Sequence, residues 1–120
     1  MSEDQTIDMQ AIDALRELSP DAGGDFLREL IEIYLQDTPL RLVELEAALT
    51  AKDISAFTRA AHTIKGSSSN FGAVKLVQLS HTLEMQGKSG DLSASTESCG
   101  KIKAEYALVA QTLSAIAQKA

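Results

Sequence analysis

The chain has 120 residues, 44% of them apolar, with one cysteine, no tryptophan and a formal net charge of −6. That suffices for one domain with a single core spanning residues 1–120, ordered over about 7–118. It excludes an internal disulfide, and aromatics at only 4% favour aliphatic helix packing over short aromatic-rich strands.

No apolar run approaches the roughly 20 residues that span a bilayer. The acidic start, Met1 to Gln10, lacks a signal-peptide core, and a lone Cys99 fits a reducing compartment, so the expectation is a soluble, cytoplasmic protein without membrane insertion. Charge is uneven: residues 1–50 carry three Arg/Lys against twelve Asp/Glu, whereas residues 51–120 carry eight against five. An acidic chain with no basic stripe or interleaved aromatics is a poor nucleic-acid binder. Lys52, Arg59, Lys65, Lys75 and Lys88 offer either a local positive field or ordinary solvated helix faces.

The spacing predicts five helices. The first covers Asp8 to Leu18, with Ile12, Leu15 and Leu18 as its apolar stripe, and Ser19-Pro20-Asp21 with Gly23-Gly24 ends it. A long second helix starts near Asp25, which is placed to cap it, and contains Pro39, so it kinks near Gln36 to Thr38 or two helices meet there. The third begins between Lys52 and Ile54 and ends near Ser69-Asn70, where residues that compete with the helical backbone cluster. The fourth carries Val74, Leu76, Leu79 and Leu83 to a stop at Gly87, with Gly87 to Gly90 as a loop. The fifth runs from Leu92 or Ser93 to Lys119, its apolar residues alternating at three- and four-residue spacing from Cys99 to Ile116. The short later links imply antiparallel neighbours. The expected fold is all-α: an up-down four-helix bundle with the short first helix across one end.

One face of the third helix stands out. At roughly 100° per residue, Phe57, Ala60, Ala61 and Ile64 share a direction, while His62 points about 140° away from Phe57, toward water. Gly66 lies one turn on from His62 and Lys65 flanks it. A glycine inside a helix costs about 1 kcal/mol relative to alanine, and close approach by another macromolecule would account for it. His62 lies about as far before the turn at Gly72 as Glu84 lies after it, which puts Glu84 level with the ring. An ordinary exposed glutamate is the alternative. Ser69 and Thr58 border the same face.

The stretch from His62 through Lys65, Gly66 and Gly72, continued by Leu79, Leu83, Glu84 and Gly87 and preceded by Asp37-Thr38-Pro39, resembles the histidine-containing phosphotransfer domains of multistep two-component signalling. The resemblance implies that His62 accepts a phosphoryl group from a receiver-domain phospho-aspartate and passes it to another receiver aspartate. It implies a carrier that is not itself an enzyme, has no cofactor of its own and no ATP site, and is cytoplasmic and monomeric. The Mg²⁺ belongs to the receiver, and the partners are receiver domains and a hybrid histidine kinase. By the same resemblance Lys65 offsets phosphoryl charge, Gly66 gives the partner access and Glu84 holds Nδ1. It also favours the kink at Pro39.

Two other readings stay open: a substrate domain phosphorylated directly by a chemotaxis-type kinase, and a helical interaction module without chemistry. His62, His81 and Glu84 fall short of a metal site, and Ser67, Ser68 and Ser69 come with no oxyanion-hole or nucleophile-elbow signature. His81 is expected at the core boundary. Ile7, Met9 and Ile12 are candidates for an apolar docking patch beside the histidine, with core packing the alternative for Ile12.

Overall fold

The computed structural model describes residues 6–18 and 24–119, all helices and connecting turns. The helices are α1 (Met9–Glu17), α2 (Asp25–Ala51), α3 (Ile54–Ser69), α4 (Val74–Ser89) and α5 (Ser95–Lys119). The break expected at Ser19 to Gly23 lies outside the described residues. The four long helices pack in a ring, α2 on α3, α3 on α4, α4 on α5 and α5 on α2, and α1 lies against α2. The expected bundle with an extra N-terminal helix is therefore the observed fold.

Local chemistry sets most helix ends. The Asp8 side chain accepts from the Gln10 amide at 3.0 Å to start α1, and Asp53 accepts from the Ala56 amide at 3.1 Å to start α3. Asp25 does not cap α2: Gly24 holds the cap position with φ +78°, and Asp25, already helical, pairs with Arg28 at 2.6 Å. Its carboxylate remains in the first turn, where the helix dipole favours it. One helix carries both sides of Pro39, deciding for a single element over two that meet there. The helix α4 continues through Gly87 to Ser89, and it is Gly90, with φ +79°, that closes it. α5 starts later than expected, at Ser95, after a turn in which Asp91 accepts from the Ser93 amide at 3.0 Å.

The core is aliphatic at its centre: Leu27, Ile31, Leu45, Ile64, Leu76, Leu83, Ile102 and Leu113 are fully buried around Phe57. The apolar series of α5 buries Cys99, Ile102, Val109, Leu113 and Ile116. Near the α3–α4 turn, Tyr34 packs on Phe71 with ring centroids 4.9 Å apart and shares a 2.7 Å hydrogen bond with the buried Ser68 hydroxyl. Burial pushes the Tyr34 phenol up to about 12, so it stays protonated as a core group.

Gly72 fixes α1 to this end of the bundle. The Asp8 amide donates to the Gly72 carbonyl at 2.8 Å. With φ +68°, a Cβ on Gly72 would lie 2.8 Å from both Ala11 Cβ and the Asp8 carbonyl, so only glycine meets both demands. Seated this way, α1 buries Ile12, the segment just ahead of it buries Ile7, and Met9 is left 40% exposed. The apolar patch expected from Ile7, Met9 and Ile12 thus reduces to Met9, because the other two side chains pack inward. Among the described residues no helix is long and apolar enough to cross a membrane.

Candidate functional site

Because α3 turns its apolar series, Phe57, Ala60, Ala61 and Ile64, together with Ser68 into the core, His62 projects outward, its side chain 65% exposed. The antiparallel return of α4 places Glu84 beside it, as the counting from Gly72 predicts. The His62 Nδ1–H donates to Glu84 Oε2 at 2.9 Å. In this tautomer Nε2 keeps its lone pair, and it has no partner among the described residues.

Glu84 is the electrostatic centre of the site, and it is no ordinary surface glutamate: its side chain is only 5% exposed. Besides the imidazole, Lys65 Nζ stands 2.6 Å from Oε1 and Lys88 Nζ 3.6 Å from Oε2. The Lys65 hydrogen bond is the largest influence on the carboxyl; burial opposes it, the His62 bond adds to it, and the group is held at about 2 against an ordinary 4.5. Glu84 is therefore an anion at any physiological pH, and the imidazole faces a fixed negative charge.

A depressed carboxyl stabilises the fold above its unfolded value near 4.5, and that stabilisation is lost as pH falls toward about 2. Reduced for the solvent reaching the flanking lysines, it amounts to about 2 kcal/mol. Urea unfolding is expected to show this much acid-linked stability between neutral pH and about pH 2.5 in the wild type and none of it in Glu84→Gln. Equal pH profiles would mean that the carboxyl is not held.

Gly66 lies one turn beyond His62, exposed, and a Cβ there would meet nothing within 4 Å. The lane beside the ring is open. Thr58 and Ser69 are bound to their own helix instead: Thr58 Oγ1 donates to the Ile54 carbonyl at 2.8 Å and Ser69 Oγ to the Gly66 carbonyl at 2.9 Å. His81 is exposed, not at the boundary, and lies outside the cluster. Among the described residues no group of three or more His, Cys, Asp or Glu could hold a metal ion.

Two members of the site escaped sequence reasoning. Lys88 was legible only as one of several basic residues, although its four-residue spacing from Glu84 is the signature of a helix ion pair. Gly87, taken for a helix stop, is buried inside α4 where that helix crosses Thr58 and Phe57 of α3; a Cβ would overlap Thr58 Oγ1 and sit 3.1 Å from Thr58 Cβ. The missing side chain lets α4 approach closely enough for Glu84, three residues earlier, to meet the ring.

A family model described as Hpt domain matches residues 29–118, which include His62, Lys65, Gly66 and Glu84. The chain belongs to the Hpt domain family. Among known proteins, this Hpt domain is similar to multistep phosphorelay regulator 1 of Schizosaccharomyces pombe, at 28% identity over 83 residues, 69% of the chain but only 28% of that protein's length. Its structure is similar to the crystal structure of histidine-containing phosphotransfer protein B from Pseudomonas aeruginosa PAO1, with a TM-score of 0.89, 29% identity and 98% of each chain covered.

Proposed function

We propose that this Hpt domain, as a single domain, is a phosphorelay carrier whose phosphoacceptor is His62. The observation that carries the reading is the exposed imidazole whose Nδ1–H is engaged by Glu84 while Nε2 faces open space. The Nε2 lone pair attacks the phosphorus of a receiver's aspartyl phosphate, the bond from phosphorus to the aspartyl oxygen breaks, and the aspartate leaves as a carboxylate. The ring, still holding its Nδ1 proton, becomes a phosphoimidazolium cation. Glu84 balances that charge without taking the proton, since its own carboxyl resists protonation. The reverse sequence on a second receiver returns a neutral imidazole, a good leaving group.

Phosphoryl transfer rests on alignment and on offsetting charge at the transferring oxygens. Lys65, 28% exposed and bound to the same carboxylate as the ring, supplies a cation for those oxygens without leaving the vicinity of Glu84, because its ammonium has three donors. Gly66 admits the receiver's loops. The metal ion belongs to the receiver, which also provides the aspartate, and the chain is a monomeric cytoplasmic carrier with no turnover of its own. Its partners are receiver domains and a hybrid histidine kinase.

A panel of receiver domains charged with labelled phosphate tests this. The expected result is rapid labelling of the chain, stable to alkali and labile to acid, and its return to a second receiver. Labelling by a kinase catalytic domain and by no receiver would replace this reading with that of a kinase substrate domain. Binding to receivers without any label would leave an interaction module.

A further inference from the structure

Where α2 gives way to α3 and α4 to α5, the bundle has an open cavity of about 970 Å³, floored by Leu49, Ile54, Leu92 and Cys99. None of these residues belongs to the His62 site: Ile54 precedes His62 by eight residues, about 12 Å of helix. Three local features meet at this cavity, the first two of them against ordinary preference.

Lys52 caps the C-terminus of α2 with φ +58°, and it is the one non-glycine residue with positive φ among the described residues. Glycine usually takes that position, since any Cβ is penalised there. The helix dipole would welcome a cation, but a lysine in the last helical turn would supply it without the left-handed backbone, and α2 has no basic residue there. Gly100 lies inside α5, where glycine weakens a helix by about 1 kcal/mol relative to alanine. A Cβ on Gly100 would meet nothing within 4 Å, so packing does not require the glycine. Finally, no acid among the described residues pairs with Lys52, whereas the cavity's other lysine, Lys103, is matched by Glu46 at 3.0 Å.

The outcome is a recess with an apolar floor, one lysine paired by no acid among the described residues and a wall thinned by a missing side chain. Its volume is that of a small-molecule site. We propose that this cavity binds a small amphipathic monoanion, a carboxylate with an aliphatic body, with Lys52 holding the carboxylate and Leu49, Ile54 and Leu92 receiving the body beside Gly100. The proposal stands apart from the chemistry at His62.

Octanoate below its micelle concentration is the probe, titrated into the isotope-labelled full chain. Saturable amide shifts are expected at Lys52, Gly90 and Gly100, with octanol at least tenfold weaker and octylammonium without effect. Lys52→Gly relaxes the left-handed cap, so it should raise the melting temperature while weakening octanoate at least fivefold, and Lys52→Arg should restore binding. Gly100→Leu should fill the recess and abolish octanoate binding with phosphoryl transfer to His62 unchanged. No saturable response, equal binding of octanol and octanoate, or undiminished affinity in Lys52→Gly overturns the proposal.

Discussion

His62→Gln is expected to reduce labelling by a phosphorylated receiver to background while leaving the fold intact. The side chain is largely in water, so its replacement should change stability by no more than about 0.5 kcal/mol. A glutamine amide can still donate to Glu84, so the buried carboxylate keeps a donor besides Lys65 and Lys88. What disappears is the nucleophilic lone pair. The exposed His81 is the internal control: His81→Gln should be labelled like the wild type. Label retained in His62→Gln and lost in His81→Gln would move the site to α4.

Gly87→Ala should harm both stability and transfer, although residue 87 is distant from solvent and carries no chemistry. Its new methyl overlaps Thr58 Oγ1 and presses Thr58 Cβ at 3.1 Å and the buried Phe57 ring at 3.3 Å. Thr58 Oγ1 is held there by its 2.8 Å bond to the Ile54 carbonyl, and Thr58 Cβ and Phe57 press on the methyl whichever way Thr58 turns, so α3 and α4 are pushed apart. Overpacking of this kind costs about 1–3 kcal/mol. The separation occurs one turn from both His62 and Glu84, so the 2.9 Å bond stretches, and losing a hydrogen bond to a charged group corresponds to roughly tenfold or more in rate. Thr58→Ala in the same chain removes the overlapping hydroxyl and should recover much of both losses. Chemical denaturation and single-turnover transfer on the four-member cycle measure this. Additive free energies across the cycle would mean that the two residues do not press on one another.

Much of this was legible because α3 and α4 obey simple periodicity. Four apolar residues on one side of α3 suffice to turn His62 outward, and counting equal rises away from Gly72 brings Glu84 level with it. Long-range packing at the bundle's end was not legible. Ile7 looks like part of a surface patch, and Ile12 stays open between patch and core, until α1 is found clamped on the α3–α4 turn through Gly72, a contact between segments about sixty residues apart. Glycine is ambiguous for a different reason: the same letter marks a helix end at Gly90, a close helix crossing at Gly87 and an open surface at Gly66. Asp25 shows the same limit on a smaller scale, since a capping residue and a first-turn acid differ by one position.

The vacancy beside the imidazole sets two demands on the chain against each other. No neighbour needs Gly66 to be glycine, and alanine there would firm the helix by about 1 kcal/mol. A screen that ranked variants by heat resistance alone would promote Gly66→Ala, and a bulkier winner such as Gly66→Leu would be a tougher protein that receivers struggle to reach. Toughness and traffic pull this residue in opposite directions, and the chain has kept the lane clear.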